Sequence, residues 1–422
     1  MNDNPRFPGK QKRKPLYVAP SFYSVGNCAE EIFWAINYAA LTRNSLEIIA
    51  PFKWTQILGY KICNSELFRI NLSTKNKYTF IRRNVSVQVA FNLLFVFRRI
   101  LSKILTNIFR WPRQEQLDFL QTGKSNYWPM PNTEPFEKYC FNLKITKSIH
   151  QIQSITVRKN TRKACAEKIK ALNLDPNKNW VCLHVREGGF HGDHQKRPYR
   201  NASIKNYQEA IHFLTKKFTV FRLGDSTMAK APFQQKGFID YAHSKLKSEE
   251  MDLFLVENCS FFVGMQSGLL DVAFLFQKPV LIVNGYEWFY SNPLKKIDRL
   301  LLRPASLGKD PSLLGFEDRL RLPFYFTDVR AQISPNEMNF RENSPDQILQ
   351  AVRKFTWEHA RSFRNTVDRD MKKRRRAFLR RSREINNGVI QKMLNQSDCF
   401  HAQNAARYLI RNLACQGQFY EF

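Results

Sequence analysis

Between residues 179 and 285 the apolar positions fall into short blocks whose period switches repeatedly. Val181, Leu183 and Val185 alternate through 180–185 as in a buried strand, and Tyr207, Ile211 and Leu214 share one face of a helix over 206–217. A second strand spans 218–223 and ends in Gly224-Asp225. Ser248 stands where an N-cap belongs, with Glu249 and Glu250 in the first turn of a helix reaching about 258. A short apolar strand at 261–264, a helix at 267–276 and a strand at 279–283 complete the series. Strand and helix alternating in this way predict a parallel sheet covered by helices, a Rossmann-like half in which ligands bind beyond the carboxyl ends of the strands.

The remainder is less regular. A strand at 16–18, a helix at 29–40 and a strand at 46–50 continue the α/β pattern, whereas 66–160 is mixed and harder to parse, and no internal repeat is present. The apolar run 85–97 contains Gln88 and Asn92 and stops at Arg98-Arg99, short of the roughly 20 residues that cross a bilayer. From 94 to 111 the spacing is helical: Leu94, Phe97, Leu101, Ile104, Leu105 and Ile108 share one face, Arg99, Lys103, Asn107 and Arg110 the other. Such a helix either packs on its own core or lies on an anionic membrane surface. Beyond 335 the chain turns helical and basic, with a helix at 345–359, a Lys/Arg run at 372–383 read as a solvated helix face, and a polar tail.

Composition sharpens the picture through charge. The 67 Lys and Arg exceed the 36 Asp and Glu by 31, an excess that points to nucleic acid, anionic membrane or phosphate-bearing substrates. Nineteen of these charges lie in 1–14, 82–113 and 361–385, so the α/β region is only mildly basic. No zinc-finger, RRM or helix-turn-helix pattern accompanies them, and no nucleic-acid partner is expected. The 43% of hydrophobic residues excludes wholesale disorder. Eight dispersed cysteines read as reduced thiols of a cytoplasmic protein, with Cys182 and Cys259 buried, and the polar N-terminus lacks the apolar stretch of a signal peptide.

Three strand ends carry candidate chemistry. His184 and Arg186 close the 180–185 strand ahead of a polar loop, where a guanidinium can grip a diphosphate bidentately; His184 alone could equally be a satisfied core histidine. Ser267 and Gly268 open a helix directly after the 261–264 strand, an arrangement that favours an anion. Arg222 and Asp225 end a third strand and can contact a phosphate, a loop or a sugar hydroxyl. Neither GxxxxGK[ST] nor GxGxxG occurs, which argues against P-loop and typical dinucleotide enzymes. Asp368-Arg369-Asp370 has DxD spacing but sits in the basic helical region, and His191-Gly192-Asp193-His194 fits no metal pattern, so no metal site is expected.

Seven blocks in order carry a resemblance: CLHVRE at 182–187, RNASIKNYQEAI at 200–211, FRLGD at 221–225, IDY at 239–241, SEEMDLFL at 248–255, FFVGMQSG at 261–268 and FQKPVLIVN at 276–284. They resemble a family of bacterial glycosyltransferases that is similar to the fucosyltransferase-like GT-B group, with Glu187 where Asp is usual and Gln266 where Thr is usual. The resemblance implies an α/β GT-B-like fold of two facing Rossmann-like domains: a basic arm at 1–15, an acceptor-side domain at 16–165, a nucleotide-sugar domain at 166–335 and a helical extension at 336–422. It implies metal-independent, inverting transfer from a nucleotide-sugar co-substrate, without a resident cofactor, to a glycan or glycolipid in bacterial surface polysaccharide synthesis. His184, Arg186, Arg222, Asp225, Ser267 and Gly268 would hold the donor, and Glu187 or Asp193 would deprotonate the acceptor. Tyr286, Trp288 and Tyr290 would stack on a base or sugar, or pack between domains. The location implied is cytoplasmic, at the inner membrane face if the basic helix touches lipid. A non-catalytic scaffold of the same fold and a basic nucleic-acid-binding protein are the rival readings.

Overall fold

The computed structural model describes residues 15–20, 22, 24–52, 62–75, 77–108, 152–172, 174, 179–189, 198–286, 294–321, 338–362, 369–394 and 418–420. Among these the strands form two parallel sheets and two small antiparallel pairs. The first sheet joins β1 (Leu16–Val18), β2 (Leu46–Ile48) and β4 (Ile81–Arg82), all parallel, with Leu16 opposite Leu46 and Leu46 opposite Ile81. An antiparallel pair, β3 (Asn71–Thr74) with β5 (Ile152–Thr156), stands beside it.

The large sheet contains β6 (Trp180–His184), β7 (Thr219–Arg222), β8 (Phe238–Ile239), β9 (Phe262–Gly264), β10 (Val280–Gly285), β11 (Arg299–Leu302) and β14 (Gln418–Tyr420). Its order is β14-β11-β10-β9-β6-β7-β8, every neighbour parallel. Alternate residues along each strand enter different cores. Cys182, Phe221, Phe262, Ile282 and Phe419 face one side, and Val181, Leu183, Val220, Val263 and Leu281 the other. Burial on both faces explains why these strands read as almost continuous apolar runs. The expected α/β architecture with a large parallel sheet is therefore present. The antiparallel pair β12 (Ala305–Leu307) and β13 (Met338–Phe340) flanks it.

Helices α1 (Val25–Thr42), α5 (Glu249–Asn258) and α6 (Gly268–Leu275) contribute to the first of these cores, and α4 (Gln208–Thr215) and α8 (Pro345–Ala360) to the second. Ser248 caps α5 as expected, its Oγ accepting the Met251 N–H at 3.2 Å. α1 is apolar almost all round and correspondingly buried, from Cys28 to Ala40. It packs on the first sheet and on α6, and the two helices meet at their N-terminal ends: a Cβ on Gly26 would lie 2.5 Å from Gly268 Cα. α3 (Lys159–Lys170) docks on α5, with Arg162 paired to Glu257.

Two expectations for the C-terminal region change. The basic run lies in α9 (Arg369–Leu394), but the helix is docked rather than simply solvated: Met371 and Phe378 are fully buried, and Arg374 and Arg381 donate through Nε to the carbonyls of Phe419 (3.1 Å) and Leu320 (2.9 Å), the latter in α7 (Phe316–Arg321). The polar tail supplies β14, whose Phe419 is fully buried. The apolar signal of both is only a few residues among many arginines, too sparse to read as a stripe. Arg299 in β11 and Glu358 in α8 form an ion pair (2.7 Å) with both side chains fully buried.

The amphipathic helix is also longer than its periodicity suggested. α2 (Val85–Asn107) absorbs the apolar run at 85–97, starting where Asn84 Oδ1 accepts the Val87 N–H. Among the described residues no helix is long and apolar enough to cross a membrane. Cys28, Cys63, Cys165, Cys182 and Cys259 are free thiols, Cys182 and Cys259 buried. The basic arm at 1–14 lies outside the described residues.

The α1–α6 contact yields a direct test. Gly26→Ala forces backbone against backbone and should cost about 2 kcal/mol or more, by analogy with overpacked cores. Gly315→Ala, whose nearest contact is an Asp318 oxygen at 3.3 Å, should stay near wild type. Urea denaturation midpoints measure both.

Candidate functional site

The chain order around β6 defines a crevice. From β6 the chain moves outward to β7 and β8, then returns to lay β9 against the opposite flank of β6. At such a switch point the loops leaving the two strands diverge and open a cleft beyond their carboxyl ends. His184, Arg186 and Glu187 leave β6 here, and Gln266, Ser267 and Gly268 leave β9; His184 pairs with Gly264 in register.

His184 is buried, and its Nδ1–H donates to the Leu223 carbonyl at 3.0 Å, since a carbonyl can only accept. That bond leaves Nε2 with a lone pair. Burial, then the Arg222 and Arg186 charges, push its pKa down to about 4, so the ring is neutral near pH 7. Arg186 is 7% exposed; its Nη1 donates to Asn201 Oδ1 (2.5 Å) and its carbonyl accepts the Ala202 N–H (3.0 Å), tying together both ends of the polar loop. Asp193, with His191 and His194, lies in that loop outside the described residues, as do Trp288, Tyr290 and Asp368.

Ser267 is the N-cap residue of α6 in extended conformation, yet its side chain makes no cap bond, and its buried Oγ has no hydrogen-bond partner. Gly268 is held against Gly26 by the helix crossing, and an Asp271 carboxylate oxygen would sit 2.8 Å from a Cβ on Gly26. Asp271, in the first turn of α6, therefore lies close to the starts of both helices, and the Ser267 hydroxyl has no partner among the described residues.

Glu187, Arg222 and Asp225 are gathered into a different task. The Arg222 guanidinium is completely buried: Nη2 donates to Glu187 Oε1 (2.9 Å), and Nη1 to Ala229 O (2.7 Å) and Asp240 Oδ2 (3.2 Å). Glu187 Oε2 accepts the Ala229 N–H at 2.6 Å and Asp240 Oδ2 the Ala231 N–H at 2.9 Å. Asp225 Oδ1 accepts the Thr227 N–H (2.9 Å) and hydroxyl (2.5 Å). These groups fold the segment after β7 back over the strand ends. Each Glu187 oxygen accepts one bond, from Arg222 and from the Ala229 N–H, so the carboxylate is held against this loop.

Sequence reasoning missed two arginines at the same edge of the sheet, Arg303 and Arg319, which stand with Arg200 of the polar loop. Arg303, directly after β11, donates from Nε to Asn284 O (3.2 Å) and from Nη2 to Asn201 O. Arg319 reaches the carbonyls of Arg303 (2.5 Å) and Tyr286 (3.1 Å). Arg200 lies over the Tyr286 ring, 5.6 Å from its centroid. Arg303 repeats the strand-end arginine already noted at Arg186 and was discoverable; Arg319, in an ordinary amphipathic turn, carried no signal. Tyr286 packs against Tyr199 (5.3 Å), which in turn meets Phe340 (5.8 Å), so it belongs to an aromatic stack beneath the loops. Among the described residues no group of three His, Cys, Asp or Glu is placed to hold a metal ion.

The depressed His184 pKa has a measurable consequence. Unfolded chain binds a proton near pH 6.5, whereas the folded protein resists it down to about 4. Stability contributed by neutral His184 is thus intact above 6.5 and lost as pH falls toward 4, by about 3 kcal/mol. Denaturation curves across this range should show a shallower acid loss for His184→Asn than for wild type.

No family model matches the chain, and no curated protein matches it. Three solved structures are similar to it at low identity. They are a family 9 glycosyl transferase from Veillonella parvula (10% identity, 66% of this chain and 82% of that one, TM-score 0.37), and the E. coli ADP-heptose lipopolysaccharide heptosyltransferase II (11%, 82% and 99%, TM-score 0.40). The third is the iron-containing dodecameric glycosyltransferase TibC of enterotoxigenic E. coli (13%, 84% and 80%, TM-score 0.33). By name the first two are a family 9 glycosyl transferase and a heptosyltransferase, not members of the fucosyltransferase-like group that the sequence blocks resemble. With TM-scores this low, the functional reading rests on the geometry of the site.

Proposed function

We propose that the chain is a glycosyltransferase that moves a sugar from a nucleotide-sugar donor to a hydroxyl of a glycan or glycolipid, in the synthesis of a bacterial surface polysaccharide or glycoconjugate. The observation that supports this reading is the switch point itself: Arg186 follows β6, Ser267 and Gly268 open α6 after the neighbouring β9, and the Ser267 hydroxyl has no hydrogen-bond partner among the described residues. A departing nucleoside diphosphate gains negative charge as the glycosidic bond breaks. Fixed donors that await that charge lower the barrier more than they tighten substrate binding.

Each residue takes a part. Arg186, held by Asn201, gives charge-assisted bonds to the diphosphate, and the N–H groups at the start of α6 with the Ser267 hydroxyl take a second phosphate oxygen. Neutral His184 accepts a sugar hydroxyl at Nε2, its orientation fixed by the Leu223 carbonyl. Asp193 removes the acceptor proton as the oxygen attacks the anomeric carbon from the face opposite the leaving group, which inverts that centre. Glu187 and Arg222 act as positioning residues, holding the loop that carries Asp225 and Ala229. The transfer runs without metal because arginine and helix start supply the positive charge; the location proposed is cytoplasmic.

Arg186→Ala should cut donor hydrolysis or transfer by about 100-fold, the loss of one or two charge-assisted bonds of roughly 1.5–3 kcal/mol each. Arg186→Lys should restore part of it. Full activity in the alanine variant would remove Arg186 from the donor site. The donor itself is found by thermal-shift screening of nucleotides and nucleotide-sugars, where saturation at 100 times Kd adds about 2.7 kcal/mol. A chain stabilised by generic RNA and by no nucleotide-sugar would be a nucleic-acid binder instead.

A further inference from the structure

α2 is turned inside out relative to an ordinary surface helix. Its polar residues face the protein: Gln88 Oε1 accepts the Ala50 N–H (2.9 Å), and Gln88 Nε2 donates to Ile48 O (2.9 Å) and Glu47 Oε1 (3.2 Å). One turn on, Asn92 Oδ1 accepts the Phe52 N–H (2.9 Å) and Nδ2 donates to Ala50 O (2.9 Å). The two amides thus satisfy the backbone leaving β2. Rotating the helix to bury its apolar side would sacrifice these five bonds.

The apolar side is left in solvent. Val85 (76% exposed), Leu93 (58%), Phe97 (63%), Ile100 (51%) and Ile108 (69%) lie in one stripe with Val89 and Ile104. At 100° per residue these seven positions fall within about 140° of the circumference and run about 35 Å along it. A contiguous apolar surface of this length on a folded protein marks an interaction site. The expectation that the helix packs its apolar face on its own core is not met, because Gln88 and Asn92 occupy that side.

Charge names the occupant. In the segment leading into α2 stand the exposed Lys75, Lys77 and Arg82, with the half-exposed rings of Tyr78 and Phe80. Residues 82–113 contain seven Lys and Arg and no acid. An apolar face bordered by cations and aromatic rings complements a phospholipid monolayer, with acyl chains for the stripe, the headgroup level for the rings and anionic phosphate for the cations. We infer that α2 lies in the plane of an anionic membrane and holds the protein at its surface. The inference stands apart from the transfer reaction, and it would bring the crevice to a lipid-linked acceptor.

The experiment is flotation of the full chain with vesicles of phosphatidylcholine alone or mixed with phosphatidylglycerol. Wild type should float with the mixed vesicles, weakly with phosphatidylcholine, and less at high salt. Leu93→Glu with Phe97→Glu should abolish flotation, and Lys77→Glu with Arg82→Glu should reduce it at least tenfold on mixed vesicles, each cation being worth roughly fivefold. All four side chains are exposed, so melting temperatures should match wild type. Wild type that stays with the soluble fraction overturns the inference. Sedimentation velocity then identifies the cover: a dimer dissolved by Leu93→Glu with Phe97→Glu assigns the stripe to a second copy, and a monomer to the chain's own remaining segments. Flotation unchanged in both variants also overturns it.

Discussion

The architecture turns on two glycines that let helices touch backbone to backbone. Gly26 in α1 and Gly268 in α6 come so close that neither tolerates a Cβ without displacement of main chain. α1 carries the first sheet and α6 leaves the switch point of the second, so this contact fixes one sheet relative to the other. It also brings two positive helix ends side by side, an arrangement that repels unless negative charge lies nearby. The Asp271 carboxylate stands against the start of α1. Asp271 also belongs to the first turn of α6, so one carboxylate serves both helix starts.

The same logic explains where much of the basic excess goes. Arg303, Arg319, Arg374 and Arg381 each donate to main-chain carbonyls where elements end, and Arg299 and Arg222 are buried against carboxylates. A guanidinium offers five donors in a planar fork, so one residue can satisfy carbonyls from two segments. Arg319 does so for Arg303 and Tyr286. Net charge, taken as a sign of phosphate partners, is therefore in part the cost of joining long connections without regular structure. Arg186 differs in being anchored by the neutral amide of Asn201 at the mouth of the switch point.

What could be read from the sequence follows from how local each signal was. The strands from 180 to 285 are buried on both faces and declared themselves as apolar runs, and Ser248 and Ser267 marked helix starts within one turn. His184, Arg186, Ser267 and Gly268 were accordingly found on the two strands that flank the crevice. A loop contact was among the readings open for Arg222, but its partners Glu187, Ala229 and Asp240 were not legible, because they are chosen by the return of one loop. The orientation of α2 stayed open for a related reason. Periodicity reports that a helix has two faces, and only the unsatisfied backbone after β2 decides which faces inward.

The edge strand β14 has a consequence for how the chain is made. β11 is synthesised long before the residues that complete its edge, since Arg299 pairs with Gln418. Until then a nascent chain exposes an apolar strand edge, open to pairing with any other strand it meets. The segment that emerges in the interval includes α9, dense in arginine, which lies against β14 in the finished fold through Arg374 and Phe419. The edge is thus closed only once α9 and β14 are both present, the helix clasping the strand that covers β11.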